Sequence, residues 1–268
     1  MAELRWAYRH LEHPSFAGRL SGVLALPIEE GIALLPKHWQ KRLHKAAEKS
    51  ICQSLSLALG TIRQGDTSPA HLYLHKFMAM GTGAVGGFFG PLTLLAELPL
   101  TTALMLRAIA DIAQHEGEDL TQREAKMACV QVFALGGRTK EDEAADLGYY
   151  GLRLTLGFYF ERDILEYAAD ATGPHIPALI QAIRGIAARF GVVISDTAAA
   201  RMVPIAGAAS GAMLNLIFMN HYQNVARGHF IVRRLERKYG ADDIKGTYET
   251  LQQEEIEADR EFSPLEGW

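Results

Sequence analysis

Four polar residues lie within apolar stretches. Their side chains are the ones in this sequence best suited to bind a ligand or to take part in a reaction. Glu97, Arg107 and Asp111 interrupt one long apolar run, and Asn215 interrupts a second. An isolated buried charge is energetically costly and a buried amide needs hydrogen-bond partners, so each of these groups requires a polar neighbour. The pattern predicts a polar cluster inside an apolar core. Such a cluster either fixes the packing of helices or binds the polar end of a ligand.

The spacing of these residues restricts which of them can pair. Arg107 and Asp111 are four residues apart and lie on one face of a helix, although this order gives the weaker helical ion pair. Glu97 precedes Arg107 by roughly 15 Å of helix and therefore needs a partner on another element. We expect Asn215 to meet these charged residues across the core.

Known catalytic and metal-binding motifs give little support for an enzyme. Gly81, Gly83 and Gly86 match a dinucleotide fingerprint, but that fingerprint follows a strand, and the preceding residues are predicted to be helical. His71 and His75 have the spacing of metal ligands without the acid or cysteine that would complete a site. The sequence also lacks a nucleophile elbow, a P-loop and a zinc-protease motif. It favours a protein without catalytic residues, metal or cofactor, while a hydrolase with an unrecognised motif stays open.

Composition and charge narrow the classes of partner. The 268-residue chain is 49% hydrophobic and has a formal net charge of −4. An overall negative charge argues against nucleic-acid binding. Cys52 and Cys129 can form neither a disulfide framework nor a zinc site, which is typical of the reducing cytoplasm. Glutamates break the apolar runs near the N-terminus, so no signal peptide is expected.

Two glycine-rich segments open the two apolar stretches. Glycines four residues apart form small ridges on a helix and permit close packing. The close-packing candidates are Gly83, Gly86, Gly87, Gly90, Gly207 and Gly211. Residues 77–96 and 202–219 contain no charged side chain, and the first run has about the length of a membrane span. Two buried helical hairpins or two membrane-inserted hairpins would fit this pattern.

The spacing of apolar residues predicts an all-α fold, a single large helical domain built on the two glycine-rich apolar helical hairpins. We expect helices at 37–63, 70–90, 92–116, 122–135 and 149–169, another ending near Arg189, a long helix after Pro204 and an acidic helix after residue 240. Gly117 should end the third of these helices, and Gly136 and Gly137 should end the fourth.

Two further sequence features predict where helices bend or are interrupted. Pro99 should kink the long helix or restart it near Leu98, because proline cannot donate a backbone hydrogen bond. The apolar run at 190–194 has the character of a short extended segment, and Ser195 or Asp196 should then cap the next helix.

Three segments follow from these predictions. Residues 1–36 form an irregular or short-helix segment, residues 37–240 form the helical domain, and residues 241–268 form an acidic helix and tail. The helix at 37–63 begins with a basic face formed by Lys37, Lys41, Arg42 and Lys45. Such a face is either simply solvated or rests on an anionic membrane surface.

Several stretches resemble the EcsC protein family. They are GTGAVGGFFGPLTLLAELPLTTALMLRAIADIAQHEGEDL at 81–120, CVQVFALGG at 129–137, and PIAGAASGAMLN with ARGHFIVRRLERKYG within 204–240. The resemblance extends over about residues 35–240 and leaves out the first 30 or so residues. It implies a bacterial protein with an all-α fold, and it supplies no established catalytic residues.

The function expected from these features is that of a non-catalytic helical binding module. Its ligand would be a lipid or another hydrophobic molecule, bound in an apolar groove above the polar cluster. A cytoplasmic location is expected, and peripheral association with the inner membrane stays open. The alternatives are a protein that inserts its hairpins into the membrane and the hydrolase named above.

Overall fold

The computed structural model describes residues 1–12, 42–43, 45–51, 91–137, 148–157, 185–195, 197 and 207–262. Within residues 91–97, 207–211 and 259–262 it describes the backbone alone. All regular structure in these ranges is helical, which confirms the all-α class. The helices with defined ends are α1 (Ala2–Glu12), α2 (Pro91–His115), α3 (Arg123–Leu135), α4 (Gly207–Tyr239) and α5 (Ala241–Phe262). Further helical residues lie at 45–51, 149–157 and 185–195.

The long helix α4 is the element on which the others pack. It contacts α1, α2, α3 and α5. Its central part is apolar on most faces, as is typical of a helix surrounded by others. Buried α4 side chains include Leu214, Phe218, Tyr222, Val225, Phe230 and Val232. The sequence prediction of a long helix after Pro204 is therefore confirmed from Gly207 onwards.

Helix α2 runs without interruption through Pro99. The predicted restart near Leu98 is therefore wrong. A proline removes only one backbone hydrogen bond, and helices held by neighbouring elements tolerate such a loss. Next to the proline, the Thr102 hydroxyl donates to the carbonyl oxygen of Leu98 at 2.7 Å.

Gly117 ends α2 as predicted, and its backbone explains why. Its φ angle is +81°, in the left-handed region that glycine adopts at low energetic cost. The Glu118 amide donates to Ala113 O at 2.9 Å and the Gly117 amide to Gln114 O at 3.0 Å, which is the hydrogen-bond pattern of a Schellman motif. The turn leads directly into α3, whose predicted bounds are confirmed.

The extended segment predicted at 190–194 is wrong, because these residues continue the helix at 185–195. The Ser195 hydroxyl donates to Gly191 O at 2.8 Å within that helix, so Ser195 does not cap a new one. Burial outweighs the local preference of the β-branched residues here. Phe190 stacks on Phe218 and meets the edge of Phe133.

The glycines that the structure shows in close contact differ from those predicted. Gly83, Gly86, Gly87 and Gly90 lie outside the described residues, and only the backbone is described at Gly207 and Gly211, so the glycine-rich hairpins stay a prediction. A Cβ atom at Gly137 would lie 2.4 Å from the backbone oxygen of Arg189, and one at Gly228 would lie 3.1 Å from Leu11 Cγ. These two glycines permit α3 and α1 to approach their neighbours closely.

The structure describes only part of the predicted basic face. Arg42 and Lys45 are exposed, while Lys37 and Lys41 lie outside the described residues. On the other side of the same segment, Leu43 and Ala47 are fully buried. An amphipathic helix with a basic outer face therefore holds for its described part, and its contact with a membrane stays a prediction.

Replacing Gly137 by alanine should destabilise the fold. The new methyl group would collide with a backbone oxygen, which cannot move without shifting a helix, and such overpacking costs about 1–3 kcal/mol. Gly246→Ala is the matched control, because a Cβ there meets nothing within 4 Å and alanine favours the helix by about 1 kcal/mol. Urea unfolding should show opposite signs for the two variants. Equal effects would contradict the close contact at Gly137.

Candidate functional site

Of the predicted polar residues, Arg107 and Asp111 form the expected ion pair. The Arg107 guanidinium lies 3.3 Å from the carboxylate of Asp111, whose side chain is nearly buried, whereas the Arg107 side chain is 43% exposed and does not lie inside the core. Asn215 is buried on α4, as expected for an amide in an apolar stretch. The side chain of Glu97 lies outside the described residues. A shared role of these four residues in binding a ligand therefore stays a prediction.

A second and larger group of charges lies where the C-terminal ends of α2 and α4 meet. We call it the arginine–glutamate network, and it consists of Glu116, Glu118, Glu124, Arg233, Arg234 and Arg237. The C-terminal end of a helix carries partial negative charge, which favours arginine there and disfavours carboxylates. The glutamates after α2 are stabilised because the arginines of α4 lie against them.

Glu118 is the centre of this network, with only 5% of its side chain exposed. Arg233 binds it with two hydrogen bonds, Nε to Oε1 at 2.8 Å and Nη2 to Oε2 at 3.2 Å. Arg237 donates to the same carboxylate through Nη1 and to Glu116 O through Nη2, the latter at 2.8 Å. Burial alone would raise the pKa of Glu118, but the hydrogen bonds and charges of both arginines together lower it below the usual value.

The arginine–glutamate network also contacts α1. Arg234 donates through Nε to Glu116 at 2.7 Å and through Nη2 to Glu3 at 2.8 Å. The Glu3 side chain is 60% exposed, so its pairing with Arg234 contributes little to stability. Its value is geometric, because one arginine contacts both the end of α2 and the first turn of α1.

An open cavity of about 480 Å³ lies beside Glu118. Three arginines line it: Arg153 from the helical residues 149–157, and Arg233 and Arg237 from α4. Glu236 fixes Arg153 with a 2.8 Å hydrogen bond to Nη1. Arg153 Nη2, Arg233 Nη1 and Arg237 Nε make no hydrogen bond to the described residues, so each guanidinium keeps donors for another acceptor.

A hydrogen-bonded group of aromatic residues lies behind Arg153. The Tyr149 hydroxyl is 2.9 Å from His229 Nδ1 and accepts a long bond of 3.4 Å from Arg153. Burial, followed by the charges of Arg153 and Arg233, lowers the pKa of His229 well below its usual range, so the imidazole is neutral. Burial raises the pKa of Tyr149 to about 12.

Glu12 connects α1 and α5 with the start of the helical residues 149–157. Its Oε1 accepts the backbone N–H of Tyr149 and the hydroxyl of Tyr248, each at 2.9 Å. A carboxylate at a helix N-terminus satisfies a free N–H group and suits the positive end of the helix dipole. Glu12 therefore acts as a cap supplied from a distant part of the sequence.

The described side chains around the cavity can bind a ligand, but none of them is an evident nucleophile. The Cys129 thiol is buried, and burial together with the negative charge of Glu118 raises its pKa, so it is not a thiolate at neutral pH. Among the described residues, no three His, Cys, Asp or Glu side chains come together as a metal site. No helix in the described ranges is both long and apolar enough to cross a membrane.

Sequence reasoning missed the residues of this site. Arg233 and Arg237 carry a local signal, since they are four residues apart on one helix face. Glu118 lies 115 residues from Arg233, and no local pattern relates the two. Glu12 and Tyr248 are 236 residues apart and give even less indication of their contact.

Replacing Glu118 by glutamine should destabilise the protein strongly at neutral pH. Removing one partner of a buried ion pair costs about 3–5 kcal/mol, and we expect the lower part of that range because Arg237 is 42% exposed and can be solvated. Glu124→Gln is the matched control, because Glu124 also pairs with Arg233. Glu124 is 77% exposed, so its loss should cost less than about 1 kcal/mol.

The difference between wild type and Glu118→Gln should depend on pH. The folded pKa of Glu118 is lowered, so the ionised carboxylate stabilises the fold above the pKa of an unfolded glutamate. This contribution disappears as the pH falls through the lowered folded value. Chemical unfolding at pH 7 and at pH 3 should show a large and then a small difference, and a constant difference would contradict this role.

A protein-family model matches most of this chain. The model of the EcsC protein family matches residues 2–235, which include α1 and all but the last turn of α4. The expectation that the first 30 or so residues lie outside the resemblance was wrong, because α1 packs directly on α4. The chain matches no curated protein and no solved structure. The match covers most of the sequence, and the chain belongs to the EcsC protein family.

Proposed function

We propose that this protein is a non-catalytic helical binding module for a ligand that carries an anionic group, and that the group binds in the cavity beside Glu118. One observation carries the proposal. Three arginines line the same cavity, and each is fixed by a carboxylate while keeping N–H donors without an acceptor among the described residues. Arginine binds phosphate and carboxylate groups through paired N–H donors, which makes these groups the expected ligands.

Fixed arginines favour binding because their side chains need not be ordered by the ligand. Immobilising a long side chain costs about 0.5–1.5 kcal/mol on association. Arg233 is held by two bonds to Glu118, and Arg153 is held by Glu236. Four carboxylates also line the cavity, those of Glu118, Asp119, Glu124 and Glu236, and they outnumber the three arginines. Selectivity for an anion would therefore come from the direction of the arginine donors and not from a net positive charge.

Glu124 is the carboxylate that an anionic ligand would replace. It accepts a 3.1 Å bond from Arg233 Nη2 and is 77% exposed, whereas Glu118 on the same arginine is 5% exposed. An exposed ion pair contributes little, so releasing Glu124 into solvent costs little. The ligand would then take its place on Arg233.

The residues around the cavity indicate which part of a ligand would enter. Apart from charged and amide side chains, the lining consists of Gly117, Ala125 and Ala241, which offer little apolar surface. A lipid would therefore place only its head group here. The sequence predicts an apolar groove above Glu97, Arg107, Asp111 and Asn215, and this groove is the proposed position for an apolar tail. Peripheral association with an anionic membrane is one form of this proposal.

Calorimetric titration of the purified protein tests the proposal with two probes. Sodium pyrophosphate represents a free phosphate anion, and phosphatidylglycerol vesicles represent an anionic lipid surface, with phosphatidylcholine vesicles as the neutral comparison. Arg237→Gln should weaken binding about tenfold or more, because a charge-assisted hydrogen bond contributes about 1.5–3 kcal/mol. Glu124→Gln should tighten binding several-fold, since it removes the competing carboxylate.

Arg9→Gln is the control for loss of a surface positive charge. Arg9 is exposed, pairs with no described residue and does not line the cavity, so the affinity of this variant should equal that of the wild type. Binding of pyrophosphate would identify the free anion, and binding of phosphatidylglycerol alone would identify the lipid surface. If neither probe binds, or if Arg237→Gln and Arg9→Gln behave alike, the proposal is wrong.

A further inference from the structure

We infer that α5 is a C-terminal strap whose docking on α1 is coupled to occupancy of the cavity. The inference rests on the proposed function and assigns a regulation to the same site. Three features support it: α5 is lightly attached, its first residue lines the cavity, and a chain of contacts joins its centre to Arg153.

Helix α5 is attached to the rest of the protein over a small area. Its buried apolar residues are Ile244, Tyr248 and Leu251, and most of its other described residues are exposed. A single residue, Gly240, separates it from α4, and a φ angle of +100° there requires glycine. The EcsC match ends at residue 235, before α5 begins. A helix with few buried contacts is an element that opens at low free energy.

The cavity and α5 are in direct contact at one point. Ala241 is the first residue of α5 and lines the cavity, as do Arg237 and Glu236 from the last turn of α4. Movement of α5 about Gly240 would therefore change the wall of the cavity. This contact alone makes the shape of the site depend on whether α5 is docked.

A second connection runs through the aromatic residues. The Arg153 guanidinium lies 6.0 Å from the ring centres of both Tyr149 and Tyr150. Both rings contact Tyr248 of α5, with centres 5.6 Å and 5.1 Å apart. Docked α5 thus supports the two tyrosines on which Arg153 rests. Arg153 is one of the three arginines that line the cavity.

The Tyr248 hydroxyl fixes the docked position. It donates to Glu12 Oε1 at 2.9 Å, and the same oxygen accepts the Tyr149 amide at 2.9 Å. Tyr8 of α1 donates in turn to Glu255 of α5 at 2.6 Å. Docking therefore holds Tyr149 and, through it, Arg153 in the position that lines the cavity. The docked form is the form that binds an anion more tightly, and by linkage the anion favours docking by the same factor.

Hydrogen exchange measured by mass spectrometry on the full-length protein tests this coupling. Saturating pyrophosphate should slow the exchange of amides in α5 by at least about fivefold, while amides of the helical residues 185–195, which do not line the cavity, should not change. Arg237→Gln, at concentrations where it stays unbound, should show no slowing in α5. Slowing of residues 185–195 to the same extent would indicate a general stabilisation and would overturn the coupling.

The variant Tyr248→Phe tests the same coupling by weakening the docking of α5 and measuring the effect on anion affinity. It keeps the ring and removes the bond to Glu12, so α5 should exchange faster and the Kd for pyrophosphate should rise by the factor by which the docked fraction falls. Tyr239→Phe is the control, because Tyr239 is exposed and its hydroxyl makes no hydrogen bond to the described residues. It should change neither exchange nor affinity.

The possible outcomes separate the two proposals. Wild-type protein that binds pyrophosphate without protection of α5 overturns the coupling and leaves the proposed function intact. Wild-type protein that binds neither pyrophosphate nor phosphatidylglycerol overturns the proposed function and the coupling together. If phosphatidylglycerol vesicles bind and pyrophosphate does not, the exchange experiment is done with the vesicles and the same criteria apply.

Discussion

Glu118 is a buried carboxylate, and its charge has to be balanced at the point where two helices end. The Schellman turn at Gly117 places it there, and the dipoles of α2 and α4 both oppose a negative charge at that position. Arg233 and Arg237 supply the compensation from the neighbouring helix. The junction between the C-terminal ends of α2 and α4 therefore depends on one ion-pair group. The cavity lies beside this group, and Arg233 and Arg237 belong to both.

Local signals in the sequence were sufficient for the C-terminal ends of α2 and α3. Gly117 stops α2 because left-handed backbone suits glycine, and Gly136 stops α3 at the predicted residue. Local signals failed at 190–194, where the burial of Phe190 against aromatic residues of other helices decides in favour of helix. They also could not pair Glu118 with Arg233, because the contact depends on how α2 and α4 pack and not on neighbouring residues.

The proposed site and the predicted one suit different parts of a ligand. The cavity beside Glu118 is lined by charged, amide and small side chains, whereas Arg107 and Asp111 lie within the apolar stretch of α2. A free anion would need only the first of these places. An amphipathic molecule would use both places. Identifying the bound molecule would therefore show whether the site includes the apolar stretch of α2 as well as the cavity.

The position of α1 has a consequence for the order in which the chain folds. The partners of this helix lie far along the sequence, with Glu3 bonded to Arg234 across 231 residues and Glu12 to Tyr248 across 236. Such distant contacts form slowly because a long loop must close first. During synthesis, Leu11 on the apolar side of α1 cannot contact Gly228 until α4 has been made. Helix α1 therefore docks on α4 late, and this contact surface stays exposed to chaperones and to aggregation while the chain is still being synthesised.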